Sequence, residues 1–187
     1  SGGGITEAET AAVRPVQIIE SGPAAGVVAA ASLGRRMGEG DLIAFDMGGT
    51  TAKASLIENG QIPRAVDHEV GGGISLSGRL MGGGGYPIRV PCIDLAEIGA
   101  GGGSILRVDG GGVLQVGPDS AGSDPGPVCY AKGGTHSTLT DANLLLGYLN
   151  PQGLAGGKLV LHKEPARKRF QDEIVSRMDL PEEEVAL

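Results

Sequence analysis

The sequence predicts an α/β or α+β fold, and three observations carry that reading. Aromatic residues make up 3% of the 187 positions and tryptophan is absent, so the core has to be built from Val, Ile, Leu and Ala, which suits a sheet covered by helices. Short apolar runs of strand length are interspersed with alanine- and leucine-rich stretches of helical character. Glycine, at 35 of 187, stands far above its usual level of roughly 7%. Much of this backbone therefore lies in tight turns or near a ligand.

In chain order, residues 1–14 open on glycines and then read as a short helix capped by Thr6, with Glu7 and Glu9 in its first turn and Pro15 ending it. Residues 16–19 are apolar, and Ser-Gly-Pro at 21–23 breaks the run. Residues 24–36, AAGVVAAASLGRR, have the alanine density and basic end of a closely packed helix. After a turn at 38–41, residues 42–46 predict a strand running into a glycine pair, and residues 53–57 alternate as a second strand. Asn59-Gly60 is a hairpin signal, with a return strand starting at 61–64. Residues 71–85 are glycine-rich and predict a mobile loop. Residues 88–95 read as a strand that leads directly into IGAGGGS at 98–104.

Residues 104–108 and 113–116 flank DGGG at 109–112 as another hairpin. A long irregular segment, 117–135, follows. Residues 140–149 predict a helix with a leucine face, capped by Thr140 or Asp141, and residues 164–178 an amphipathic helix with Phe170, Ile174 and Val175 on its apolar side. Residues 181–187 begin a further element. The length suits one domain or part of a larger one.

Several function classes are disfavoured. The net charge is −7 with a pI near 4.9, and no Lys/Arg run forms a phosphate-backbone footprint, so nucleic acid is not an expected partner. No apolar run approaches the roughly 20 residues of a membrane span, and residues 1–5 lack the apolar core of a signal peptide. Cys92 and Cys129 have no CxxC or CxxH spacing and are expected as buried small hydrophobes, which fits a cytoplasmic location.

The chemistry concentrates in three segments. In FDMGGTTAK, residues 45–53, Gly48 and Gly49 let backbone N–H groups approach an anion, Thr50 and Thr51 offer hydroxyl donors, and Lys53 adds charge. Asp46 would repel phosphates unless a cation such as Mg2+ stood between, so it is the candidate metal residue. From the residues alone, the same string equally makes a plain hairpin turn. In DLAEIGAGGGS, residues 94–104, Asp94 and Glu97 are candidate acid, base or metal residues. Gly101, Gly102 and Gly103 repeat the glycine logic or allow tight packing against a neighbouring helix. The third segment gathers Ser120, Asp124, Tyr130, His136, Thr138, Thr140 and Asp141 among Gly and Pro. It contains no nucleophile elbow or Ser-His-Asp order.

SGPAAGV at 21–27, FDMGGTTAK at 45–53, IGAGGGSI at 98–105 and VGPDSAGSDPGPVCYAKGGT…TLTDANLLLGYL at 116–149, in this order, resemble the hydantoinase A/oxoprolinase family. The resemblance implies half of a fold of the actin, sugar kinase and heat-shock chaperone type, ribonuclease H-like, with a mixed sheet and a β-hairpin phosphate loop flanked by helices. It implies that residues 1–187 form a single domain, the second nucleotide-binding half of a longer protein, with an amino-terminal half and a carboxy-terminal remainder elsewhere. Asp46, Gly48, Gly49, Thr50 and Thr51 match the family's phosphate hairpin, while Gly101, Gly102, Gly103 and Ser104 match its second glycine run. Lys53 stands where many members have Asp, and Ala96 or Glu97 where many have His.

The implied activity is an ATP-dependent hydrolase that phosphorylates the oxygen of a cyclic amide, such as a hydantoin or 5-oxoproline, so that water opens the ring. ATP with Mg2+ or Mn2+ and a hydantoinase B-type partner subunit or domain go with it, and the 187 residues alone are expected to be inactive. Asp46, Asp94 and Glu97 are the residues expected to take part in the reaction. Two other readings accompany this one: a subunit of an acetone- or acetophenone-type carboxylase, and a non-catalytic nucleotide-binding module.

Overall fold

The computed structural model describes residues 2–70, 86–154, 156–178 and 180–186, so the glycine-rich stretch expected to be mobile lies outside the described residues. The chain separates into two compact units, one comprising Ser1–Met47 and Ala52–Ile98, the other Gly48–Thr51 and Gly99–Leu187.

The first unit opens with helix α1 (Ala8–Val13), whose N-cap is Glu7, not Thr6, and has no side-chain cap bond. A 3-10 turn at Pro15–Ile18 leads to α2 (Ser21–Met37). Ser-Gly-Pro therefore starts the helix, where it had been expected to be a break. Pro23 lies in the first turn, where its missing N–H costs no helical bond. Ala24, Val27, Ala31 and Gly34 form the buried stripe of α2, and Gly38 closes it at φ 79°. A Cβ on Gly34 would collide with Leu42 and come within 2.8 Å of the Glu39 carbonyl oxygen. Only glycine permits this approach.

Strand β1 (Leu42–Met47) pairs antiparallel with β2 (Ala52–Ile57) along six residue pairs, from Leu42 with Ile57 to Met47 with Ala52. Asn59 and Gly60 take φ of 52° and 70°, the turn that their sequence signals. They close only the bridge between Glu58 and Gln61. The return strand does not stay beside β2: β3 (Arg64–Val70) pairs with β4 (Tyr86–Ile93) in a separate sheet. Pro63 has no N–H to extend a ladder with β2. The short β5 (Ala96–Ile98) takes that edge instead, giving the order β1-β2-β5. Helix α2 covers one face of this sheet through a core of Ala24, Val27, Ala31, Ala44, Ile57, Ile93 and Leu95. Ile43, Phe45 and Leu56 are exposed.

In the second unit, β6 (Ser104–Val108) and β7 (Leu114–Ser120) form the hairpin expected around DGGG, with a register shift between Ser104 and Leu106. A 3-10 turn at Val128–Tyr130 precedes α3 (Leu139–Leu145). Helix α4 (Lys163–Glu173), a 3-10 turn at Val175–Arg177 and α5 (Glu182–Ala186) complete it. Leu106, Ala142, Phe170, Ile174 and Val185 make one buried cluster, and Cys129, Leu144, Leu161 and Ala166 another. Both cysteines are free and buried, as expected. The fold is α/β, and the ladders among the described residues are antiparallel. None of the described helices is long and apolar enough to cross a membrane.

Candidate functional site

The ladder between β1 and β2 ends at Met47 with Ala52, which leaves Gly48, Gly49, Thr50 and Thr51 as the connecting loop. Gly48 N donates to Thr51 O at 2.9 Å and closes it. Among the described residues the amides of Gly49 and Thr50 have no backbone acceptor, and both residues are exposed. Unengaged N–H groups at a glycine-bearing loop tip are the raw material of an anion site.

The second glycine run is built the opposite way. Gly102 N donates to Gly48 O at 2.9 Å and Gly103 N to Gly49 O at 2.6 Å, while Gly101 N donates to Ser104 Oγ at 2.8 Å. A Cβ on Gly101 would lie 2.6 Å from the Thr50 and Thr51 nitrogens. These glycines pack against the hairpin backbone, Gly102 also lies against the first turn of the helix at Leu139–Leu145, where a Cβ would come 2.9 Å from Thr140 Oγ1, and their amides are already engaged. Ser104 is fully buried. The geometry thus gives this run the part of a brace for the loop.

The third segment in turn holds the brace. Thr140 donates from both its amide (2.8 Å) and Oγ1 (2.7 Å) to Gly102 O. The cap of α3 is Thr138, not Thr140 or Asp141, and Asp141 is its reciprocal partner in a capping box. Asp141 does more than cap. Its buried carboxyl oxygens accept from the amides of Val128 (3.2 Å), Cys129 (2.8 Å) and Thr138 (2.9 Å) and from Thr138 Oγ1 (2.8 Å), tying the 3-10 turn to the start of α3. Burial, then the neighbouring Asp141 charge, pushes the Cys129 thiol far up, so it is inert. His136 sits at the surface, with Nδ1 3.2 Å from Glu173 Oε1. Ser120 Oγ accepts from Gly122 N at 3.1 Å, a local turn.

The acidic candidates separate in the first unit. Asp46 is exposed at the end of β1 and has no ion-pair or hydrogen-bond partner among the described residues. Lys53, its cross-strand neighbour in register, is largely buried, with Nζ 3.2 Å from both Glu20 and Glu97. Burial by itself lowers the Lys53 pKa, but the two carboxylates outweigh it and raise it. Glu97 is therefore engaged with Lys53. Glu20 was missed in the sequence; its only signal there is an acid placed just before the first turn of a helix. Asp94 lies elsewhere. Asp46 and Lys53 line a recess of about 190 Å³ between α2 and β1, whereas Asp94 lines a separate cavity of about 660 Å³ and keeps a buried Oδ1 without a partner.

No three His, Cys, Asp or Glu side chains gather as a metal cage among the described residues. A nucleotide-bound Mg2+ does not need one, since one or two carboxylates plus phosphate oxygens and water suffice. An exposed, unpartnered Asp46 fits that requirement.

Comparison with known proteins agrees with the motifs. The hydantoinase/oxoprolinase family matches residues 1–187. The caprolactamase alpha subunit of Pseudomonas jessenii is 38% identical over 187 residues, covering 100% of this chain and 25% of the relative. The 5-oxoprolinase 1 of Arabidopsis thaliana is 41% identical over 132 residues, 70% of this chain and 9% of the relative. The nucleotide-free structure of acetone carboxylase superposes with a TM-score of 0.69 at 28% identity over 89% of this chain and 22% of that one. The chain thus spans a quarter or less of the length of these relatives. An α/β fold consistent with the actin-like ATPase type, the motif order and a match over every residue lead to one statement: this chain belongs to the hydantoinase/oxoprolinase family.

Proposed function

We propose that these residues form the second nucleotide-binding half of a longer enzyme that opens a cyclic amide at the expense of ATP, by phosphoryl activation of the amide oxygen. The observation that carries this reading is the contrast within the hairpin region. Among the described residues the Gly49 and Thr50 amides have no backbone acceptor and Asp46, two residues before the loop in sequence, has no partner. The Gly49 and Thr50 amides and the Thr50 and Thr51 hydroxyls bind phosphate oxygens, Gly48 closes the loop through its bond to Thr51 O, and Asp46 holds Mg2+ or Mn2+ through water. The metal, when bound, neutralises phosphate charge. The brace from Gly101 to Ser104 fixes the loop beforehand, so binding does not have to order it. Lys53, tied to two carboxylates, positions β2 and is not a phosphate ligand in this arrangement.

ATP-dependent lactam and oxoproline enzymes among the relatives support the hydrolase reading. The naming of relatives as subunits supports a hydantoinase B-type partner. The similarity to acetone carboxylase favours a second reading, in which the same phosphoryl transfer activates a ketone or bicarbonate. The two separate on one assay of the full-length protein with its partner. ATP consumption coupled to ring opening of a hydantoin, 5-oxoproline or lactam establishes the first, and consumption only with ketone plus bicarbonate establishes the second. Binding of ATP with no turnover on either set leaves a nucleotide-binding module. Asp46→Ala should abolish substrate-dependent ATP hydrolysis while leaving the circular dichroism spectrum unchanged; undiminished turnover would remove the role given to Asp46.

A further inference from the structure

The two loop-tip amides that lack a backbone acceptor among the described residues belong to particular peptide groups. The Gly49 N–H shares its group with the Gly48 C=O, and the Thr50 N–H shares its group with the Gly49 C=O. Those are the two carbonyls that the brace engages, Gly102 N donating to Gly48 O at 2.9 Å and Gly103 N to Gly49 O at 2.6 Å. A trans peptide is planar, and its C=O and N–H point in opposite directions. Holding both carbonyl oxygens on the brace therefore turns both N–H groups away from it, at a loop tip whose residues are exposed.

The brace amides are themselves fed from behind. The Gly103 N–H shares its peptide group with the Gly102 C=O, which accepts from the Thr140 amide at 2.8 Å and from Thr140 Oγ1 at 2.7 Å. The Gly102 N–H shares its group with the Gly101 C=O, which accepts from Ser104 N at 2.9 Å. Two relays of peptide groups thus reach the loop tip, one running from Ser104 to Gly49 and the other from Thr140 to Thr50. Hydrogen bonds in such chains polarise one another, so donation to a carbonyl strengthens the N–H on the far side of the same peptide. The relay fed by two donors carries the shorter bond onto the loop, 2.6 Å against 2.9 Å.

The Thr140 hydroxyl is the side-chain donor at the head of the second relay. Thr140 is 7% exposed and lies in the first turn of α3, but the capping box of that helix is made by Thr138 and Asp141. Its hydroxyl is therefore not spent on starting the helix and goes to Gly102 O.

We infer that Thr140 is a positioning residue for the phosphate loop: through the Gly102–Gly103 and Gly49–Thr50 peptide groups, its hydroxyl aims and strengthens the Thr50 amide as a donor to a phosphate oxygen. The inference rests on the phosphate-binding reading of the hairpin above. Thr140 touches no phosphate in this arrangement, so its effect is on the strength of a bond made elsewhere.

The test is calorimetric binding of magnesium ATP and of inorganic tripolyphosphate to the full-length protein with its partner. Thr140→Val keeps the shape of the side chain and the backbone donor and removes the hydroxyl. It should weaken both ligands about 3- to 10-fold, with an unfolding midpoint close to that of wild type because Gly102 O keeps the amide and α3 keeps its cap. Thr140→Ser, which supplies the donor again, should return both affinities to within about 2-fold of wild type. Thr140→Cys, whose S–H is a weak donor, should fall between them and serves if the valine variant fails to fold. Unchanged affinity in the valine or cysteine variant, a loss that serine does not restore, or no saturable binding of either ligand by wild type would overturn the inference. Tripolyphosphate binding that follows the order serine, cysteine, valine without any binding of ATP would leave the positioning role standing and overturn the nucleotide reading instead.

Discussion

GGTT at 48–51 and GAGGGS at 99–104 share their glycines and little else. In the first, the amides of Gly49 and Thr50 have no backbone acceptor among the described residues; in the second, the amides of Gly101, Gly102 and Gly103 are all engaged, two of them on the first run's own carbonyls. A Cβ on Gly49 would meet nothing within 4 Å, whereas one on Gly101 would sit 2.6 Å from the hairpin nitrogens. Glycine in one run leaves room for something that arrives, and in the other it lets two stretches of backbone touch. A glycine-rich string therefore does not announce a ligand loop until the destination of its N–H groups is known.

Four substitutions or conditions test that contrast. Asp141→Ala should have the largest effect, because it strips partners from three amides and a hydroxyl at the base of the brace. A loss of about 3–5 kcal/mol is expected in chemical denaturation, with Asp141→Asn recovering part of it; a loss under about 1 kcal/mol would mean that the brace does not depend on α3. Gly101→Ala should cost about 1–3 kcal/mol, since backbone has to move to admit the methyl, and the full-length protein should lose ATP affinity with it.

The strand leading out of the hairpin gives a pH test. The Glu20 and Glu97 carboxylates outweigh burial and hold the folded Lys53 pKa above the ordinary lysine value, so its ion pairs stabilise fully below that ordinary value, and the contribution is lost as pH rises through the folded one. Stability should fall more steeply above the ordinary lysine pKa of about 10.4 in wild type than in Lys53→Met, a difference that unfolding curves at about pH 9 and 11 would register. The smallest effect belongs to Gly49→Ala, within about 0.5 kcal/mol for stability. If that variant unfolded as readily as Gly101→Ala, the division between the two runs would be wrong.

Much of the fold was legible in the sequence. Alanine density marked α2, a leucine face α3 and an amphipathic pattern with Phe170 and Ile174 apolar α4, and the apolar run before Gly48 together with the alternation after Thr51 marked β1 and β2. Asn59-Gly60 took the positive φ values that its side chains tolerate. What was not legible depended on distance along the chain. Nothing local says that β3 abandons β2 for β4, and only Pro63 hints at it. The brace joins residues 54 positions apart, Gly48 with Gly102 and Gly49 with Gly103, and Lys53 likewise meets Glu20 and Glu97 from distant parts of the chain. Ser-Gly-Pro was misread because its turn chemistry also suits the first turn of a helix. Of the candidate site residues, Asp46 is exposed and without a partner among the described residues, and the Gly49 and Thr50 amides have no backbone acceptor there. Gly101 to Ser104 and Glu97 are turned to internal support, and Asp94 lies in another cavity.

The bare side of the β1-β2-β5 sheet has a practical consequence. Ile43 at 70% exposure, Phe45 at 63% and Leu56 at 59% stand on a sheet whose first strand, β1, is an edge among the described residues. Apolar side chains beside an unpaired strand edge are a recipe for sticking to a second sheet. Expressed by itself, this polypeptide should elute in light-scattering chromatography as species that grow with concentration, and charged replacements at Ile43 and Phe45 should return it to monomers without changing its secondary structure.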